Sequence, residues 1–101
     1  MPNLTEQEFS KHIGTEFQAD VNQNEVALKL TDVKGYLSKP NEQSGMERFS
    51  AFFDGPGAMK LPQAIYHLRH EKMGEFDLFL VPVSGDANGF RYEAVFNYYK
   101  E

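Results

Sequence analysis

The chain is expected to fold as a β-rich α+β domain: an N-terminal helix followed by about six antiparallel strands forming a curled sheet or a small, partly closed barrel. Three observations lead there. First, Phe76-Asp77-Leu78-Phe79-Leu80-Val81-Pro82-Val83 and Phe90-Arg91-Tyr92-Glu93-Ala94-Val95-Phe96-Asn97 are strand-like runs joined by the turn-forming segment Ser84-Gly85-Asp86-Ala87-Asn88-Gly89. Second, nine Phe and five Tyr against no Trp suit an aromatic core built from half-buried strands. Third, helix punctuation is confined to the N-terminus. A length of 101 residues makes one domain, residues 1–101, large enough for a single modest core.

The helix begins with Thr5 as N-cap and Glu8 three residues on, a capping box, with Leu4 and Phe9 as the flanking hydrophobic staple. Glu6 and Glu8 in the first turn suit the helix dipole, and Gly14 suits the C′ position. Leu4, Phe9 and Ile13 then share an apolar face. About two and a half turns are too few to stand alone, so this helix must lean on something larger.

Phe17, Ala19 and Val21 alternate with polar residues, Asn22-Gln23-Asn24 is a turn, and Val26, Leu28 and Leu30 alternate in their turn. This is a hairpin with one wet face. The stretch from Ser38 to Glu47 is the longest polar, breaker-rich segment and reads as an exposed loop. Phe49-Ser50-Ala51-Phe52-Phe53 is a short strand closed by the turn Asp54-Gly55-Pro56-Gly57, and Leu61-Pro62-Gln63 leads into a strand over 64–70. If Lys72-Met73-Gly74 is a three-residue loop, Gly74 takes the left-handed position of a bulge. Leu68 then faces Leu78, Tyr66 faces Leu80, and Arg69 faces Asp77 as a cross-strand ion pair worth at most about 1 kcal/mol. The last strand puts Phe90, Tyr92, Ala94 and Phe96 on one face and Arg91, Glu93, Val95 and Asn97 on the other. The preceding strand carries Phe79, Val81 and Val83 opposite its core face, so a flat sheet with one covered face does not suffice. Pro82 belongs near an edge, a bulge or a strand end.

Composition narrows the function. A net charge of −5 lacks the basic face that nucleic acid or an anionic membrane requires. Without cysteine there is no disulfide, thiolate nucleophile or Cys-ligated zinc. The polar, acidic start is no signal peptide, and no run approaches the roughly 20 apolar residues of a membrane span, so cytoplasmic residence is expected. Asn3-Leu4-Thr5 matches a glycosylation sequon, which has no meaning without secretion.

Taken together, the motifs resemble a small bacterial domain family of unknown function. They are Phe-x-Leu-Phe-Leu-Val-Pro-Val, Arg-Tyr-Glu-Ala-Val-Phe-Asn, Phe49-Ser50-x-x-Phe53-x-Gly55-Pro56, Leu61-Pro62-Gln63-x-x-Tyr66-x-Leu68-x-His70 and the helix ending at Gly14. The likeness covers nearly the whole chain. It implies a fold and no chemistry. The resemblance also implies a setting beside tail-fibre or collar-like genes, and so an accessory role in an assembly.

No catalytic constellation stands out. His67 and His70 form His-x-x-His, but residues three apart on a strand point to opposite faces and cannot share a metal. Asp86-Ala87-Asn88-Gly89 resembles the start of a calcium loop, yet turn chemistry accounts for those residues and the distal Glu ligand is missing. Gly55-Pro56-Gly57 is too short for a phosphate loop. Arg69, Asp77, Arg91, Glu93 and Asn97 are expected to cluster on the wet face of the last strands, as a contact patch or as a salt-bridge lattice that keeps the sheet soluble. Glu93 could serve as a general base only within a pocket. Tyr98 and Tyr99 follow the last strand, either closing the core or, Tyr99 above all, anchoring a partner.

The expectation is a non-enzymatic protein-binding or assembly module, with no metal or cofactor and an unidentified protein partner. Its candidate interaction residues are Arg69, Asp77, Arg91, Glu93, Asn97 and Tyr99. The polar loop and any uncovered strand edge are further surfaces. A small-ligand carrier is the first alternative and would need an enclosed cavity. An enzyme is the second and would need at least two of His67, His70, Asp77 and Glu93 to converge in a pocket.

Overall fold

The computed structural model describes residues 4–36, 46–57 and 60–99, leaving aside the side chains of residues 46, 47 and 99. A short helix, α1 (Glu6–Ser10), precedes six strands: β1 (Glu16–Val21), β2 (Asn24–Gly35), β3 (Met46–Pro56), β4 (Ala64–His70), β5 (Gly74–Asp86) and β6 (Gly89–Tyr99). All pairings are antiparallel, and the strands close into a barrel in the order β1-β2-β3-β6-β5-β4. The helix and the β4–β5 turn lie at one end, here the lower. The β1–β2 and β5–β6 turns lie at the upper end.

Closure follows from sequence features that bend strands. In β2, Leu30 faces Phe53 and Asp32 faces Phe52, so Thr31 is an extra, bulged residue. In β5, Pro82 faces Tyr92 and Ser84 faces Arg91, which makes Val83 a second bulge directly after the proline. Bulges increase local twist and curl a sheet towards closure. Pro82 thus lies beside a bulge, as expected of a residue that cannot donate to the ladder.

The interior is filled. Phe17, Leu28, Leu30, Phe53, Leu68, Leu80 and Tyr92 are wholly buried along the axis. At the upper end Leu61 is buried, and its N–H donates to the Tyr92 hydroxyl at 2.8 Å. At the lower end Phe9 of α1 meets the rings of Phe17, Phe49, Phe76 and Phe96, with centroids 5.4–6.2 Å apart. The helix is therefore a plug, and Tyr98 donates its hydroxyl proton to the Leu4 carbonyl to tie the last strand to it.

Several expectations need correction. The helix is five residues long, because i→i−3 bonds from the Lys11 and His12 N–H groups to Glu8 and Phe9 tighten and end it. Ile13 therefore leaves the apolar face and is 45% exposed. Gly14, with φ of 94°, closes the connection into β1 by donating to the Leu30 carbonyl at 2.7 Å. Thr5 caps as expected, accepting the Glu8 N–H at 3.1 Å, but the Glu8 carboxylate meets Lys11 and His12.

The β4–β5 register is displaced by two residues. Tyr66 faces Leu78, Leu68 faces Phe76, and Arg69 faces Glu75 in place of Asp77. The turn is Glu71-Lys72-Met73, held because the His70 Nδ1 accepts the Lys72 and Met73 N–H groups. Gly74, with φ of 88°, takes the left-handed position but pairs with His70.

The first turn is only Asn22-Gln23, with Asn24 already in β2. β2 runs on to Gly35, and β3 runs from Met46 to Pro56, so Met46 and Glu47 belong to a strand and 54–56 are not a turn. The rest of the polar loop, residues 38–45, lies outside the described residues. β5 reaches Asp86, which leaves Ala87-Asn88 as the turn, and β6 includes Tyr98 and Tyr99.

Candidate functional site

Alternate residues of a strand face opposite sides, and in this barrel the inward set is apolar. Tyr66 and Leu68 point inward from β4, Phe76, Leu78 and Leu80 from β5, and Tyr92 and Ala94 from β6. The outward set on these three strands is mixed. Ile65 stands opposite Phe79 in the β4–β5 ladder. Glu93 faces Val81 across β5–β6, and Val95, one outward step along β6, faces Ser50 of β3. Ile65 is 69% exposed, Phe79 48% and Val95 66%. Ile65 and Phe79 thus form an exposed apolar pair on the outside of β4 and β5, and Val95 is a further exposed apolar residue on the outside of β6.

Polar groups fixed by internal bonds flank these residues. Below Ile65 and Phe79, the His67 Nδ1 lies 2.8 Å from Asp77 and its Nε2 2.9 Å from Glu75. The hydrogen bond to Glu75, then that to Asp77, pushes the imidazole pKa above its ordinary value. Beside Val95, the Tyr36 hydroxyl donates to Ser50 Oγ at 2.8 Å, and Ser50 donates to Glu93 at 2.6 Å. Ser50 lies on the outward side of β3 yet is wholly buried under these partners.

The expected charged cluster divides into separate pairs. Arg69 turns away to β1 and β2, where it bonds Asp20 at 2.7 Å and also Glu25. The Asp20 bond chiefly raises its pKa. Arg91 bonds Asp54 of β3 at 3.0 Å. Asp77 holds His67, Glu93 holds Ser50, and Asn97 is exposed beside Arg48 in the β3–β6 ladder. Tyr99 is in β6, and its side chain lies outside the described residues. No single patch gathers these residues. Among the exposed apolar residues, Ile65 and Phe79 do stand directly together. Val95 and Phe79 were visible in the sequence as apolar residues on a wet face, whereas Ile65 carried only its alternation with Tyr66.

His67 and His70 point to opposite sides, as their spacing predicts. His67 is on the outside, and His70 is buried against Phe17 with ring centroids 4.1 Å apart. His67 and Asp77 do converge, but on an exposed surface with both ring nitrogens engaged by carboxylates. A hollow of about 460 Å³ at the upper end is lined by Asp54, Ser84, Asp86, Phe90 and Arg91 and opens to solvent. Asp86 Oδ1 accepts the Asn88 and Gly89 N–H groups, so that carboxylate serves the turn. Among the described residues, no group of three or more His, Asp or Glu is placed to hold a metal ion, and no helix is long and apolar enough to cross a membrane.

A family model described as a domain of unknown function (DUF6916) matches residues 4–96. No curated protein and no solved structure matches the chain.

Proposed function

The chain belongs to this family of domains of unknown function, and we propose that it is a non-enzymatic protein-binding or assembly module that makes contact through the outer face carrying Ile65, Phe79 and Val95. The observation that carries this reading is the pair Ile65 and Phe79, directly opposite each other and largely exposed. Contiguous apolar groups on a rigid, solvent-facing sheet are a common mark of a protein contact. Fixed polar groups at the rim, His67 with its two carboxylates and the Tyr36–Ser50–Glu93 chain, suit an interface in which an apolar centre gives affinity and a polar border gives orientation.

The alternatives have less support. A carrier barrel needs an interior cavity, and this axis is occupied by side chains such as Phe53, Leu80 and Tyr92. An enzyme needs a pocket around a free base, and both nitrogens of His67 are engaged by carboxylates on an exposed surface. Strand addition needs a strand with one open side, and in the closed order each of the six strands has a neighbour on both sides. The resemblance suggests a bacterial, tail-fibre-like assembly as the setting, and cytoplasmic residence belongs to the same proposal.

The test is a tagged pull-down from the native host at moderate salt, comparing the wild-type chain with the double variant Ile65→Glu, Phe79→Glu. One protein recovered in stoichiometric amount by the wild type and lost with the folded variant is the expected result. Recovery of the domain alone, or of the same partner by both chains, would sink the proposal.

A further inference from the structure

We propose that His70 is a proton-operated latch: its neutral ring joins the β4–β5 turn to the junction between α1 and β1, and its protonation at Nδ1 frees the turn at the lower end of the barrel.

The hydrogen bonds fix the ring's protonation state. Nδ1 lies 3.0 Å from the Lys72 N and 3.1 Å from the Met73 N, so it must accept. Nε2 lies 2.9 Å from Thr15 Oγ1. The Thr15 hydroxyl donates its own proton to the His12 carbonyl at 2.6 Å, so its oxygen accepts from Nε2–H. Only the neutral imidazole satisfies all these bonds. A proton on Nδ1 would face two N–H donors.

The surroundings also oppose a cation. The ring is 9% exposed, packed at a tilt against Phe17 and 4.7 Å from the ring of His12. Burial, then His12, pushes the His70 pKa below its ordinary value, and Glu71 opposes them only partly. Glu8 faces the far side of His12 at 3.3 Å. Glu16, Arg69 and Glu75 line the open hollow beside the ring, and Lys72 sits in the turn itself. Because the folded-state value is depressed, the unfolded chain takes up the proton first. The stabilisation is complete above about pH 6.5 and is lost as pH falls through the folded-state value.

The same molecule holds a control. In the β5–β6 hairpin, Asp86 Oδ1 accepts the N–H groups two and three residues on, Asn88 and Gly89, as His70 Nδ1 does for Lys72 and Met73. The two turns share this acceptor geometry and differ in the acceptor, an imidazole nitrogen in one and a carboxylate oxygen in the other.

Amide hydrogen exchange on the intact chain between pH 7.5 and 5.0, corrected for intrinsic rates, tests the latch. Protection at Lys72 and Met73 is expected to fall by up to about tenfold per pH unit below the ordinary imidazole pKa, while Asn88 and Gly89 hold. His70→Asn keeps a turn acceptor that does not titrate, so it should abolish the pH dependence. Constant protection at Lys72 and Met73 in the wild type would overturn the proposal. So would an equal fall at Asn88 and Gly89, or a fall that persists in the folded variant. If His70→Asn does not fold, the comparison of the two turns in the wild type decides alone.

Discussion

His67 and His70 stand three apart on one strand and respond to protons in opposite senses. His67 is held by Glu75 and Asp77 on the outside, so its pKa is raised. Its contribution to stability is present below the ordinary value of 6.5 and fades as pH rises through the raised folded-state value. Ring NMR titration should give a midpoint above 6.5 for His67 and below it for His70. Replacing both carboxylates, Glu75→Gln with Asp77→Asn, should return His67 to its ordinary value. A second residue-scale expectation concerns Ser50. Ser50→Ala leaves Glu93 and the Tyr36 hydroxyl without their shared partner and should cost about 1–3 kcal/mol in a denaturant titration. Tyr36→Phe should cost less, because Ser50 still donates to Glu93. The divergence of the two histidines was legible from the two-residue period of a strand. Their partners were not, because partner identity depends on register, and Gly74 fits the left-handed position in more than one register.

At the scale of elements, α1 illustrates a helix whose stability comes from what it plugs. Five residues cannot sustain a helix in water, so Phe9 must anchor it to the barrel. Phe9→Ala should destabilise the protein by about 3–5 kcal/mol, read from the denaturant midpoint at unchanged slope. The β1–β2 turn offers the reverse. Asn22 and Gln23 have φ of 50° and 70°, the left-handed conformation of a two-residue hairpin turn. A side chain at the second position costs roughly 1 kcal/mol there, and glycine removes the penalty. Gln23→Gly should therefore raise the thermal midpoint. No rise, or a fall, would count against this reading of the turn. Which elements exist was clear from alternation, while their lengths were not. The bulge at Thr31 moves the inward position from Asp32 to Val33, so the period breaks where β2 in fact continues. Gly55 and Pro56 look like a turn, yet they pair with Phe90 and Gly89 as the end of β3. Backbone pairing supplied by a distant strand overrides that local signal.

For the whole molecule, closure decides what the surface can do. In this six-stranded barrel each strand has a neighbour on both sides and the axis is filled by side chains, so the proposed contact surface is the outside. The sequence placed Phe79 and Val81 opposite a core face, and closure buries the core face alone. Phe79 stays exposed beside Ile65. Charge at these positions should cost little stability, within about 0.5 kcal/mol for a surface substitution away from caps and buried pairs, and should abolish the proposed partner contact. The charged residues that attracted attention in the sequence, Arg69, Asp77, Arg91 and Glu93, each bond within the chain. Strand alternation could show that they face outward, but it could not show with which strand each would pair. The most direct measurement is hydroxyl-radical footprinting of the free chain against the complex recovered from the host. The account predicts lower oxidation at Ile65, Phe79 and Val95 in the complex, with Ile13 near the lower end and Val83 near the upper unchanged. Protection confined to the barrel ends, with Ile65, Phe79 and Val95 oxidised equally in both states, would contradict it.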